Sequence, residues 1–473
     1  MIVLHLRYPP PVIAATLVAY LAVLLGVGVW AQRRVGDTAD FHLGGRRLGP
    51  VVAALSASAS SSSAWTLLGV SGAAYAWGLQ AVWLVPAVIS GFAINWYLVA
   101  PRLQSMSREG NALTLVQFLT RGTDARTAWR MRVLGAAVIL FCFVFYIAAQ
   151  FQAAGAAIST ALPVSPATAM IAGAVVVVVY VFLGGFWAAS VTDAVQGLMM
   201  LFVALVLPVV ALMAVGGPAA LWEGLAALGE PSLLRVVDQP GLLLTLVFVA
   251  GLFGIGLGYP GQPHVVNRFM AMRSGDEVGF ARRLALTWAV MIYVGMVILG
   301  WSGRVLLPEL ADPESALTEL TVGLLPAVLG GLVTGGVLAA IMSTVDSQLL
   351  VAGSAVSHDL RRGRDSVALD RAVVLVLGVG AVILALYFPS TIFRRVLFAW
   401  QVLGNAFGPL LLVLLWRGRV AAPFRLAAML TGAVATVLLS VLPDAPGDAV
   451  ERLAPFFVAL AIALAGTRER LRA

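Results

Sequence analysis

Lysine is absent from this 473-residue chain, cysteine occurs once, histidine four times, and only 11% of the residues are charged, where soluble globular chains carry roughly 25%. Each shortage closes a class. The single cysteine, Cys142, excludes an intrachain disulfide, and four scattered histidines beside it argue against a transition-metal cluster. So little charge does not suit a soluble surface. What abounds is apolar: 61% of residues are hydrophobic and the mean hydropathy is +0.97. Apolar runs of about twenty residues recur, the length a helix needs to cross a hydrocarbon core of ~30 Å. An all-α polytopic membrane protein is expected, with the lipid bilayer as its solvent.

Thirteen spans are predicted, near 11–31, 50–76, 79–100, 131–155, 165–183, 189–215, 241–259, 281–307, 325–353, 372–388, 396–416, 421–442 and 453–467. The first lacks a basic leader and is taken as a retained helix, not a signal peptide. All thirty basic residues are arginine; with the N-terminus outside and the C-terminus inside, twenty-four fall on the cytoplasmic side. Arg7, Arg235, Arg304, Arg394, Arg395 and Arg452 fall outside, and the Arg394–Arg395 pair is a local exception. This positive-inside bias accounts for the net charge of +8 without nucleic acid or another polyanion. No loop is long enough for a catalytic or signalling domain, so residues 1–473 are expected to form one transmembrane unit.

Two spans are interrupted. Span two carries Ser56, Ser58 and Ser60 to Ser63 before Ala64 and Trp65, a polar density that must face protein or water. Span seven runs Gly254-Ile255-Gly256-Leu257-Gly258-Tyr259-Pro260-Gly261-Gln262-Pro263-His264, where glycine weakens a helix and proline removes its hydrogen bonds. The two interruptions begin five-span blocks of opposite polarity, the inverted-repeat pattern of secondary transporters. The alternative is that Ser, Gly and Pro merely allow close helix packing.

Of twenty-two acids only Asp193 and Asp346 fall inside predicted spans, and an intramembrane carboxylate marks a functional site by default. Asp193 follows Ser190 and Thr192 and precedes Gln196; Asp346 lies within Ser343-Thr344-Val345-Asp346-Ser347-Gln348. Hydroxyls and carboxylates are hard oxygen donors suited to an alkali cation. Ser343, Asp346 and Ser347 share a helix face by their i, i+3, i+4 spacing. Two close buried carboxylates need a second cation or one shared proton. The alternatives are that Asp193 caps a helix or pairs with arginine, and that the hydroxyls bond back to helix carbonyls. Tyr146, Gln150 and Gln152 interrupt span four as a cavity lining or as interhelical hydrogen bonds. His5, His42, His264 and His358 form no catalytic constellation, and Gly44-Gly45 and Gly184-Gly185 are too short for nucleotide sites.

Several stretches resemble the sodium:solute symporter family: Asp40-Phe41-His42-Leu43-Gly44-Gly45-Arg46, Ala54-Leu55-Ser56-Ala57, Asn111 to Leu115, Phe182-Leu183-Gly184-Gly185-Phe186 with Thr192 to Gln196, Gly258 to His264 with Arg268 to Ala271, and Met342-Ser343-Thr344 with Gln348-Leu349-Leu350. Gly261 to Ala271 and Ala406-Phe407-Gly408-Pro409 resemble its sodium/proline branch. The resemblance covers roughly residues 37 to 420. It implies about thirteen helices in a LeuT-like fold of inverted five-helix repeats, here 50–215 and 241–416, with two added helices at 421–467. It implies sodium as coupling ion, held by Ala59 and Ser62 carbonyls, the Ala340 carbonyl and the Ser343 and Thr344 hydroxyls. A second cation or proton site, found in some members, matches Asp193, Ser343, Asp346 and Ser347. The solute would touch Ser61, Ser63, Trp65, Tyr146, Gln150, Ile255, Tyr259, Gln262 and Pro263.

Two positions depart from the proline branch. Ser61 stands where that branch has an acid, and Ile255 where it has tryptophan. Asp346, where a small hydroxyl residue is more usual, is placed to restore the missing charge; Ile255 implies a wider, less aromatic pocket. The resemblance therefore implies a sodium-coupled symporter of the cytoplasmic (inner) membrane importing a small organic solute, proline or a related amino acid foremost. The alternatives are a transporter-like solute sensor, and a symporter of another solute coupled to sodium or protons. An intramembrane enzyme lacks a nucleophile and base pair.

Overall fold

The computed structural model describes residues 10–32, 43–183, 186–361, 366–388, 390–442 and 445–468. Asp40, Phe41, His42, Gly184 and Gly185, with His5, Arg7, Arg33, Arg34, Arg362, Arg364, Arg470 and Arg472, lie outside the described residues.

Helix α1 (Pro10–Gln32) precedes a broken second span, α2 (Pro50–Ser61) and α3 (65–77), with Ser62 and Ser63 between them. The first turn of α3, Trp65–Gly69, is a π-helix, a geometry frequent at functional sites. Then come α4 (84–109), the short α5 (Leu115–Thr120), the long α6 (Ala125–Ala161), α7 (Pro166–Leu183), α8 (Phe186–Val215) and the short α9 (Pro218–Ala227). Span seven is broken too. Helix α10 (Leu242–Leu257) stops among its glycines, Tyr259–Gly261 forms one 3₁₀ turn, and α11 (Pro263–Ala271) restarts, with proline at the first position, where its missing N–H costs no helical bond. Helices α12 (Val278–Leu306), α13 (Ala316–Leu324), α14 (Ala327–Ser354), α15 (Val367–Tyr387), α16 (Ile392–Arg417), α17 (Ala422–Leu439) and α18 (Ala449–Arg468) complete the chain.

Among the described residues ten helical segments are long and apolar enough to cross a membrane, and three shorter apolar helices lie at 14–24, 50–61 and 166–179. The chain is a multi-pass membrane protein. Between spans two and three the chain turns at Gly78 (φ 59°), where α3 ends, and a 3₁₀ stretch, Gly78–Trp83, leads into α4. The most apolar stretches of α14 and α16 are 83% and 89% buried, against 28% and 33% for α15 and α17. The first pair is therefore the interior and the second faces lipid.

Close backbone approach fixes the second break. A Cβ on Gly404 of α16 would stand 2.5 Å from Gly258 Cα, and one on Gly261 would stand 2.6 Å from Gly404 Cα. Only glycine fits at both faces of that contact. At one end the two broken spans are tied together, since Leu48 N–H donates to Ala271 O at 3.1 Å and Arg273 N–H to Leu48 O at 2.9 Å. On the opposite side Glu314 caps α16, accepting from Ile392 N–H at 2.8 Å and Phe393 N–H at 2.7 Å. Burial pushes the Glu314 carboxyl above its usual range, opposed by those two bonds.

Four arginines that fall outside the expected positive-inside pattern are held locally. Arg235 pairs with Asp238 at 2.5 Å, Arg304 with Glu230 at 2.6 Å, and Arg452 with Asp448. Arg395 donates to Gln152 Oε1 at 3.0 Å and to the Phe388 carbonyl. Four of the six exceptions to the positive-inside pattern are thus structural residues with partners.

Candidate ion and solute site

Where α2 crosses α8, α11 and α14, a buried polar cluster surrounds an ion pair. Arg268 Nη2 of α11 lies 2.9 Å from Asp193 Oδ2 of α8, and neither side chain is exposed. Ser56 Oγ donates to the same carboxylate oxygen at 2.7 Å, and Ser60 Oγ lies 3.2 Å from it. The guanidinium also donates to Ser56 Oγ at 3.0 Å, to Ser347 Oγ and to the His264 carbonyl. Ser347 Oγ is within reach of Ser60 Oγ at 3.1 Å, Asp346 Oδ1 at 3.0 Å and the Ser343 carbonyl at 2.8 Å. Asp193 Oδ1, Gln196 Oε1 and Asp346 Oδ2 are buried without a hydrogen-bond partner. Two carboxylates against one guanidinium leave one negative charge.

Beside this cluster lies a second convergence of oxygens, at the break of span two. Ser343 Oγ stands 3.3 Å from Ala59 O and 3.2 Å from Ala340 O; Thr344 Oγ1 stands 3.4 Å from Ser60 O and 3.1 Å from Ala340 O. Three carbonyls and two hydroxyls, all buried, make a hard-oxygen set that fits a sodium ion. Of the five expected ligands, Ala59, Ala340, Ser343 and Thr344 come together, and the Ser60 carbonyl joins them. Ser62 caps α2, donating its N–H to Ala59 O at 3.1 Å, while its hydroxyl lies 3.5 Å from Tyr293 Oη.

The expected solute residues divide between the two breaks. At span two, Ala64 N–H donates to Gln150 Oε1 at 3.0 Å, Trp65 N–H to Ser63 Oγ at 3.2 Å, and Tyr146 Oη to Ser63 Oγ at 3.3 Å. The Trp65 ring faces Phe393 at 5.4 Å and Tyr293 at 6.3 Å. Ser61 turns its hydroxyl back onto Ser58 O at 3.0 Å. At span seven, side chains of α16 and of the break itself donate to the carbonyls around the break. Trp400 Nε1 donates to Ile255 O at 3.0 Å, Gln401 Nε2 to Gly254 O at 3.2 Å, and Gln262 Nε2 to Gly258 O at 3.0 Å and Trp400 O at 2.9 Å. Tyr259 packs on Trp400 at 4.6 Å and Phe92 at 5.1 Å, and Pro263 opens α11. Trp400 of α16 thus stands against the Ile255 carbonyl and the Tyr259 ring. Gln152 is not with Gln150: it donates to Ser390 O at 2.9 Å.

Three residues of this region carried no expectation as site residues. Arg268 falls in a predicted loop because hydropathy ends span seven at its prolines; the signal is Val265, Val266, Phe269 and Met270 recurring at helical spacing beyond them. Tyr293, whose hydroxyl lies 3.0 Å from Thr66 Oγ1, sits in an ordinary apolar run, as does Trp400, and neither has a local signature.

A model of the sodium:solute symporter family matches residues 41–432. The high-affinity proline transporter PutP of Bacillus subtilis is 34% identical over 458 residues, covering 92% of this chain and 95% of the relative. The sodium/proline symporter of Salmonella typhimurium is 35% identical over 440 residues, covering 89% and 86%. Among solved structures, a substrate-bound, outward-open sodium-coupled sialic acid symporter aligns with a TM-score of 0.80 at 17% identity, over 96% of this chain and 97% of that one. Mhp1, a nucleobase-cation-symport-1 family transporter, aligns in its closed conformation with a TM-score of 0.62 at 16% identity, over 92% and 95%. At such identities the likeness is one of fold, and the fold is LeuT-like.

Proposed function

The chain belongs to the sodium:solute symporter family, and from that premise we propose that it imports proline or a closely related amino acid together with sodium, by alternating access across the cytoplasmic (inner) membrane. The observation that carries this reading is the convergence of the Ala59, Ser60 and Ala340 carbonyls with the Ser343 and Thr344 hydroxyls. The two expected ligand roles of α2 and α14 meet there. Sodium bound at that point, with Ser62 beside it, joins α2 to α14 and fixes the start of α3, where the solute sits against Ser63, Trp65, Tyr146 and Gln150. Ile255, Tyr259, Gln262 and Pro263 form the opposite wall. Family and relatives make the chain a transporter, not an enzyme.

The same reading assigns 50–215 and 241–416 to inverted repeats with 421–467 added, the N-terminus outside and the C-terminus inside. Support comes from the paired breaks and from the arginine distribution. Asp193, Asp346 and Ser347 form a second cation or proton site. With Arg268 neutralising one carboxylate, a single monovalent charge completes the balance.

Uptake of radiolabelled proline into proteoliposomes tests the proposal. A sodium gradient should drive accumulation above equilibrium, and an equal potassium gradient should not. Binding without uptake would favour a solute sensor.

A further inference from the structure

The break in span two leaves the first N–H groups of α3 without partners inside the helix, at the positive end of its dipole. Their present acceptors are all neutral oxygens. Trp65 N–H and Thr66 N–H bond to Ser63 Oγ at 3.2 Å and Ser63 O at 2.9 Å, within the same turn. Ala64 N–H alone reaches to another helix, to Gln150 Oε1 at 3.0 Å. Because an N–H can only donate, the Gln150 atom facing it must be the oxygen, so the orientation of that amide is fixed.

That orientation has a cost. Gln150 is fully buried, and with its oxygen on Ala64 its Nε2 has no hydrogen-bond partner. Trp65 Nε1, on the residue after Ala64, is likewise buried without one. Buried donors are nearly always paired. The unpaired Gln150 Nε2, on the very amide whose oxygen holds the Ala64 N–H, makes a spot with more donors than acceptors. The chemistry that satisfies such a site is a carboxylate.

The geometry points to Gln150 as a stand-in for the solute's carboxylate: its side-chain carbonyl caps Ala64 in the solute-free protein and gives way when the carboxylate takes that N–H. The amide then turns, and Nε2 donates to the bound carboxylate. One side chain thus stabilises the empty break and selects acids over amides. This rests on the proposed placing of the solute at the start of α3 and goes beyond it by giving Gln150 a discriminating role.

The test is calorimetric binding of proline and of prolinamide, in sodium, to wild type, Gln150→Leu and Gln150→Glu, with thermal melting to verify folding. Wild type should prefer proline by about 100-fold, as expected for a site left with unpaired donors by the wrong ligand. Gln150→Leu should cut that preference about tenfold. Gln150→Glu, which supplies an acceptor and no donor, should reverse it. Wild type that binds proline while both variants keep its preference overturns the role of Gln150 alone. Wild type that binds neither compound overturns the solute reading beneath it.

Discussion

Arg268 Nη2 lies 2.9 Å from Asp193 Oδ2 with both side chains wholly buried, so α11, the second half of the second broken span, is pinned to α8 by a buried ion pair. Removing one partner strands the other charge, which costs about 3–5 kcal/mol in buried pairs. Arg268→Gln should therefore lower the melting temperature sharply. Adding Asp193→Asn to it should restore part of the loss, because the stranded carboxylate is gone. Melting of both single variants and the double variant measures this, and additive losses would show that the two residues do not act as a unit.

Trp400 should matter through one atom. Its Nε1–H donates to the Ile255 carbonyl at 3.0 Å, beside the Gly258 N–H at 3.2 Å, inside the second break. Trp400→Phe keeps a ring against Tyr259 but removes one of that carbonyl's two donors, a loss of about 0.5–1.5 kcal/mol. Chemical denaturation of wild type and Trp400→Phe would read it. A bulkier amino acid competing no better for the solute site in the variant would show that Trp400, and not the size of Ile255, closes that wall.

Asp124 carries a pH dependence of known sign. The Thr127 backbone N–H, 2.9 Å from Asp124 Oδ1 at the start of α6, holds the carboxyl below its ordinary range. A depressed acid stabilises the fold above its unfolded pKa and loses that contribution as pH falls through its folded value. Wild type should melt above Asp124→Ala by a constant margin from about pH 5 upward, and the margin should shrink in more acid solution. Asp124→Asn, still a good cap, should show no such closing of the gap.

The apolar runs, the two breaks and the residues Ala59, Ala340, Ser343 and Thr344 were legible because each rests on a local signal: hydropathy, glycine and proline placement, or hydroxyls at helical spacing. Arg268 was not. Hydropathy counts an arginine as a loop residue, and only the partner Asp193, seventy-five positions away, makes its burial tolerable. The alternative that Asp193 pairs with an arginine is the one the structure shows, and that guanidinium, between α8 and α14, changes the charge balance of the Asp193–Asp346 pair. Trp400 escaped for the opposite reason. An apolar aromatic in an apolar helix gives no sign that its indole N–H caps a carbonyl 145 residues earlier.

The central claim is that sodium at Ser343 and Thr344 and solute at the start of α3 stabilise one another, and thermodynamic linkage tests it most directly. Proline affinity is to be measured across a sodium titration, and sodium affinity across a proline titration, in wild type, Ser343→Ala and Thr344→Ala. Reciprocity requires the same coupling factor in both directions, about 5–150-fold for typical coupled sites. Each hydroxyl deletion should weaken sodium binding and shift the proline curve to higher sodium, with proline affinity recovering at saturation. Proline affinity equal in sodium and potassium, or half-saturating sodium unchanged in both variants, would contradict the claim.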